Sequence, residues 1–443
     1  MGTTHVPDRR VTTAPYLALL LCGSVLYAVG QTAVPASVTV AGFQIGPLLL
    51  LASVVAAVVL WVPSRGEGDW RGLDRAWFVL VIILWLYLVV VESRDASVTA
   101  AAAVLIPLSV VLVWLKRPSH RDAWMAVDAF AWTVVIAAGV VLMLEVTDVI
   151  PSWYQRMTDA SVAFDGLAAF DRDNHWLPLG TLLGLEGRWG GFLGDPNLIG
   201  PLAALLLVYG FARSGVRRIV FATSAAAMLV LADSRASFAA AAVGLALLVL
   251  LPGWGAPFRR VTAARAAAAG VAIAAGIRVL ADVVASPEGA LTMTGRTGMW
   301  PDFLSLWPES PWWGVGTARI TEAVTQGILP PWSYHGHNQH IDMLVRYGVV
   351  GLALSSAVLI VALVISIGGA RRGLGVGVAL MGTMAVVTVA NMALDWRYPS
   401  AAFSVLLAVI VLSATRERGQ RLADSSSSVA TSTTSTPSAL PSP

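Results

Sequence analysis

Apolar residues run in long blocks along almost the whole chain, separated by polar stretches that carry Gly, Pro and Arg. The blocks are about 17 to 22 residues long, enough to cross a hydrocarbon core as helices. A membrane β-barrel would instead show short segments of alternating apolar and polar residues, and no such alternation is visible. The pattern predicts about twelve helical spans, near 16–34, 41–62, 76–92, 97–115, 124–145, 197–213, 219–233, 237–253, 265–285, 347–368, 374–393 and 401–415. The block at 219–233 is short, and those at 265–285 and 374–393 are rich in Ala and Gly. Small residues let helices approach closely in lipid, where packing drives association. The expected fold class is therefore an all-α polytopic membrane protein.

Composition closes off the soluble alternatives. Of the 443 residues, 57% are hydrophobic and only 12% charged, against about a quarter charged in soluble domains. The net charge of +3 is small and spread over loops, so nucleic acid is not an expected partner. The single cysteine, Cys22, lies in an apolar block. It makes no intramolecular disulfide and no Cys-based metal site. Positive charge sets the orientation. With the N-terminus (1–15) in the cytoplasm, 19 of the 29 Lys and Arg residues fall on the cytoplasmic side, and every inside loop carries at least two. A signal peptide is disfavoured, because Val34-Pro35-Ala36 places Pro in the cleavage site. The membrane domain then spans 16–421. The Ser/Thr/Pro/Ala-rich stretch 422–443 reads as a disordered cytoplasmic tail. The expected location is the inner (cytoplasmic) membrane, multi-pass.

Two inter-span stretches are long, roughly 146–196 and 286–346, and both are placed outside. Loops of that length in a compact protein are usually functional or disordered. These hold many of the 17 Trp residues, among them Trp153, Trp176, Trp189, Trp300, Trp307, Trp312, Trp313 and Trp332. Trp anchors membrane interfaces, and its face also stacks on sugar rings. The first loop ends in Arg188-Trp189-Gly190-Gly191-Phe192-Leu193-Gly194-Asp195-Pro196-Asn197, a stretch made for irregular backbone, with Asp195 or Asn197 placed to cap the next helix. Arg188 at the membrane edge is either a snorkelling cation or a functional one. A tight turn, Asp233-Ser234-Arg235-Ala236-Ser237, puts Arg235 at the same outer edge, with Asp233 as its plain partner. The second loop contains Gly295-Arg296-Thr297-Gly298-Met299-Trp300, then Pro311-Trp312-Trp313-Gly314-Val315-Gly316, then His335-Gly336-His337-Asn338-Gln339-His340.

Three histidines within six residues raise the possibility of zinc, which needs three or four N, S or O ligands. No HExxH motif and no Cys pair accompanies them. A histidine beside a bound hydroxyl suits general-base work, since its reference pKa of about 6.5 permits proton transfer near neutrality. Three arginines with no acidic metal cluster suit a diphosphate leaving group held without a metal, because arginine binds phosphate oxygens bidentately and keeps its charge. Lipid-linked sugar donors carry such a group. No metal and no cofactor is expected.

The set Arg188…Gly191…Pro196-Asn197, Ser234-Arg235-Ala236, Gly295-Arg296…Trp300…Pro311…Gly314-Val315-Gly316 and His337-Asn338…Leu344…Gly348…Gly351 resembles the O-antigen ligase and polymerase superfamily. The resemblance covers roughly residues 180–360. It implies a GT-C-like fold of about twelve helices and a metal-independent glycosyltransferase. Such an enzyme moves a glycan from a polyprenyl diphosphate carrier to an acceptor hydroxyl on a glycan, glycolipid or protein, at the outer face of the bilayer. On that resemblance, Arg188, Arg235 and Arg296 face the carrier diphosphate, and His337 is the base on the acceptor. Arg235, Arg296 and His337 are the catalytic set, and Arg188, Asn197, Asn338 and Trp300 bind substrate. His335 and His340 lie outside the usual pattern, and Arg346 stands where many members carry an acidic residue.

The rival reading is a multi-span transporter or flippase of lipid-linked glycans or polysaccharides. Transporters place charged groups near the bilayer midplane on broken helices. Asp128 in the fifth span and Arg278 in the ninth are the obvious charges inside spans.

Overall fold

The computed structural model describes residues 12–32, 39–40, 43–62, 72–92, 100–151, 183, 188–250, 296–330, 333–371, 373–391, 394 and 400–414. The first five long helices are α1 (Ala14–Thr32), α2 (Ile45–Trp61), α3 (Gly72–Glu92), α4 (Ala100–Lys116) and α5 (His120–Val146). A two-residue antiparallel pair, Thr39–Val40 with Phe43–Gln44, precedes α2. Then come α6 (Pro196–Ala212), α7 (Gly215–Ala232), α8 (Arg235–Leu250), α9 (Arg296–Leu304), α10 (Gly316–Thr325), α11 (Gln339–Arg371), α12 (Val376–Ala390) and α13 (Ala401–Ala414). Helices occupy eleven of the twelve ranges expected from the apolar blocks. The ninth range, 265–285, lies outside the described residues, as do Arg278, most of the first long loop with Trp153 and Trp176, Trp332, the N-terminal segment 1–11 and the tail 422–443.

Among the described residues four helices, α3, α5, α7 and α11, are long and apolar enough to cross a membrane, and seven shorter apolar segments accompany them. Their outward faces carry exposed apolar side chains, such as Val79, Ile83, Leu86 and Val90 on α3 and Ile136, Val140 and Met143 on α5. In water such surface would be a liability; a bilayer solvates it. Helix α13 is the opposite case. Every residue from Phe403 to Ala414 is buried, as expected of a helix that is hydrophobic all round. It contacts α1, α5, α6, α11 and α12, and so joins the N-terminal and C-terminal halves of the bundle.

Asp128 sits among partners at helix ends. It accepts from Tyr209 (2.7 Å) and pairs with Arg213 (2.7 Å) and Arg217 (2.9 Å). Arg213 caps the C-terminus of α6, and Arg217 lies in the first turn of α7. The carboxylate at this junction is thus compensated by two arginines and a tyrosine. The list of intraspan charges also grows: Glu92, Glu145, Asp342 and Arg346 are all buried. The sequence reading missed them because each lies near an apparent block end.

The segment after Gly295 is largely helical and has its own small core of Phe303, Leu306, Ile320, Ala323, Val324, Leu329 and Val345. At its surface Arg319 grips Glu309 with two bonds of 2.8 Å. Those hydrogen bonds hold the Glu309 carboxyl below its ordinary pKa. A short helical stretch from Gln339 breaks at Gly348, where φ is +66° and ψ is −172°, and the span expected to begin near 347 starts at this kink. The kink receives the Pro311–Gly316 strap. Val349 N–H donates to Pro311 O, Val350 N–H to Trp312 O, and Val315 N–H to Val345 O. A Cβ on Gly348 would collide with the Trp312 backbone, and one on Gly314 with the Arg346 backbone. Backbone cannot yield as a flexible side chain can. Gly348→Ala is therefore expected to destabilise by on the order of 3 kcal/mol or more, since it adds strain at positive φ to a steric clash. A melting point for Gly348→Ala within a degree of wild type, measured in detergent, would contradict this.

Candidate functional site

Arg188 does not float at a membrane edge. Its Nε donates to Ala232 O (3.0 Å) and its Nη2 to Asn197 Oδ1 (3.3 Å). Trp189 N–H donates to Leu231 O (2.9 Å), so the whole dipeptide is laid against the C-terminus of α7. A single 3₁₀ turn, Gly191–Leu193, and the left-handed Gly194 then reverse the chain. Asp195 caps α6, accepting from Asn197 N–H at 2.7 Å, with Pro196 in the first turn. A Cβ at Gly200 would meet Ser234 and Ser237 at 2.8 Å. The absence of a side chain there lets the first turn of α8 close on α6. That contact brings Arg235, the first residue of α8, beside the Arg188–Asn197 corner. Arg235 is half-buried.

The histidine segment forms a second corner. Asn338 Oδ1 accepts from His340 N–H (2.9 Å) and Ile341 N–H (3.2 Å), which makes Asn338 the side-chain cap of α11. Trp300 Nε1 donates to Gly336 O (2.9 Å) and fastens α9 to the loop. Arg296, the first residue of α9, lies one helical turn before Trp300. His337 adopts a left-handed backbone, φ +47°, and its ring lies 4.0 Å from that of His335, centroid to centroid. Among the described residues no three His, Cys, Asp or Glu side chains are grouped to hold a metal.

The two corners are tied together by a short piece of chain that sequence reading did not single out. Asn391, which ends α12, donates from Nδ2 to Asn197 O (3.1 Å). Three residues later, Leu394 N–H donates to Gln339 Oε1 (3.0 Å), next to Asn338. Three residues reach at most about 11 Å, so the α6 and α11 N-termini are close neighbours. Several predicted residues thus lie at or just before a helix N-terminus: Asn197 at α6, Arg235 at α8, Arg296 at α9, and His337 and Asn338 at α11, while Trp300 lies a turn into α9 and Arg188 is held at the C-terminus of α7. Helix N-termini carry unpaired N–H groups and a partial positive charge, and favour anions.

Two assigned substrate binders have structural duties as well. Asn338 uses its side-chain oxygen to cap α11, and Trp300 uses its only N–H on Gly336. The residues that sequence reading missed are Asn391, Gln339, and a buried set around Arg346. That last set had a partial signal, because Asp342 and Arg346 stand one helical turn apart.

Residues 202–356, about a third of the chain, match the family model for O-antigen ligase. No curated protein matches the chain. The match supports the O-antigen ligase and polymerase superfamily, and with it a glycosyltransferase-like enzyme of polysaccharide biosynthesis in a multi-span membrane protein. It takes in Arg235, Arg296, Trp300, His337 and Asn338, and begins after Arg188 and Asn197.

Proposed function

We propose that this protein transfers a glycan from a polyprenyl diphosphate carrier to an acceptor hydroxyl at the outer face of the cytoplasmic membrane, without a metal. The observation that supports this reading is that the Arg188–Asn197 corner at the start of α6 is joined to the His337–Asn338 corner through Asn391 and Leu394. In the reaction, the acceptor oxygen bonds to the anomeric carbon as that carbon's bond to the carrier phosphate breaks. The acceptor proton passes to His337, and the electron pair leaves with the polyprenyl diphosphate. Arg188, Arg235 and Arg296 meet the charge that develops on the departing diphosphate. Preorganised donors of this kind act where charge develops in the transition state. Asn197, Asn338 and Trp300 line the path of the substrate. A glycan, glycolipid or protein supplies the hydroxyl.

The test uses the lipid-linked glycan fraction extracted from cells lacking the gene. Purified protein in detergent should consume it and release free polyprenyl diphosphate, although detergent offers no compartment to transport across. Accumulation without turnover in detergent would favour a flippase. The sidedness has its own test. Cys22 is buried and Ser305 is exposed, so a Ser305→Cys variant should react with an impermeant maleimide on intact cells. Labelling only after permeabilisation would place the arginines on the wrong face for this reaction.

A further inference from the structure

Behind the histidine corner lies a buried ionic chain centred on Arg346. Arg346 is fully buried, at 0% exposure. Its Nε donates to Asp342 Oδ2 (3.1 Å), its Nη2 to Asp342 Oδ1 (3.2 Å) and Tyr334 O (2.9 Å), and its Nη1 to Thr317 Oγ1 (2.7 Å). The Thr317 hydroxyl in turn donates a hydrogen bond to Glu92 Oε1 (2.6 Å), which also accepts from Tyr347 O–H (2.7 Å). Glu92 is the last residue of α3 and is fully buried. Burying these charges is expensive, and a pair of this kind is weak support for stability as such. A structural reason for the arrangement is visible in what the chain holds.

The bonds bracket His337. On one side Arg346 grips Tyr334 O, and Asp342 Oδ1 accepts from Gly336 N–H (3.2 Å), while Trp300 takes Gly336 O. On the other side the chain enters α11 through Asn338. With both flanks pinned, His337 is left in the left-handed backbone region that non-glycine residues rarely adopt. Such conformations persist where the surroundings over-determine them. We propose that Arg346, working with Asp342, Thr317 and Glu92, is a positioning device for His337. It fixes the imidazole against the acceptor and ties that geometry to the end of α3. This rests on the glycan-transfer reading above.

The experiment uses the full-length protein in detergent with the lipid-linked glycan fraction from cells lacking the gene, reading release of polyprenyl diphosphate. Arg346→Lys keeps the charge but loses the fork that reaches three partners. Its kcat should fall about tenfold or more, within the 10² to 10⁴-fold that a general base contributes, with the apparent KM for the donor fraction unchanged. Thr317→Val removes only the bridging hydroxyl. It should fall in the same direction, and it serves as the readout if Arg346→Lys does not purify folded. The decisive measurement is non-additivity. Residues that act through one group do not multiply their losses, so Arg346→Lys or Thr317→Val placed on His337→Ala should cost little further turnover. A merely structural defect would multiply. Wild-type kcat in the readout variant, a loss confined to KM, or a multiplicative loss on His337→Ala would each overturn the positioning role while leaving glycan transfer standing. Full activity of His337→Ala would sink the base assignment itself, and this proposal with it.

Discussion

Removal of the His337 imidazole should cut turnover by about 10² to 10⁴-fold, the usual worth of a positioned general base. Binding of the donor lipid should survive, because the arginines and helix N-termini proposed to hold the diphosphate remain. Two variants are needed, since His337 sits at φ +47°. Alanine tolerates that region poorly, whereas asparagine visits it readily. His337→Asn therefore keeps the backbone and removes only the chemistry, and it should be as inactive as His337→Ala. His335→Ala and His340→Ala should be milder. The His335 ring packs edge-on against that of His337, so its loss would disturb it, while His340 is one residue into α11. EDTA should leave the wild type active. A zinc site predicts the reverse, with comparable collapse in two or three histidine variants together with inactivation by chelator. Turnover of the four variants, with and without EDTA, decides between them.

The second large effect belongs to the arginines. Arg296→Ala and Arg235→Ala should each lose roughly 100-fold in turnover, on the order of 3 kcal/mol, the usual consequence of removing one donor from a developing charge. Lysine should restore little, because a point charge cannot reproduce the bidentate fork. Arg188 differs in one respect that the structure makes plain. It also binds Ala232 O and Asn197 Oδ1, so Arg188→Ala should lower the melting point as well as turnover. Its lost hydrogen bonds are worth about 1–3 kcal/mol where a buried acceptor is left unpaired. Near-wild-type turnover of both Arg296→Ala and Arg296→Lys would remove the diphosphate role from that position.

Why the helices were legible and the site only partly so follows from what each depends on. A span is written in about twenty consecutive residues, because in lipid the backbone must satisfy its own hydrogen bonds and the side chains must be apolar. Helices α1 to α8 and α11 to α13 therefore fall on the apolar blocks. Their capping is also local: Asp195 before Pro196 and Asn338 before α11 are visible as residue types at helix starts. Block ends are where this reading fails. The residues before Gly348 include Asp342 and Arg346 and look like loop, yet they form a further helical stretch from Gln339, ahead of the break at Gly348 where the span expected near 347 begins. Their charges are compensated through space by Thr317, Tyr334 and Glu92, and no window along the chain contains that information.

By itself, then, the sequence determined the helical membrane class, most helix positions and the resemblance to O-antigen ligases, and it supplied the residues proposed to carry the chemistry, because all of these are periodicities or short motifs. Only the tertiary structure decided that the α6 and α8 N-termini meet across Gly200, that Asn391 and Leu394 join them to the α11 corner, and that Glu92, 254 residues before Arg346 in the chain, is wired to it through Thr317. The physical reason is the range of the forces involved. Apolar burial is non-directional and repeats along a helix, so a pattern in one dimension records it. A hydrogen bond between distant residues needs both partners within about 3 Å and aligned, and that condition is met only once the helices have packed.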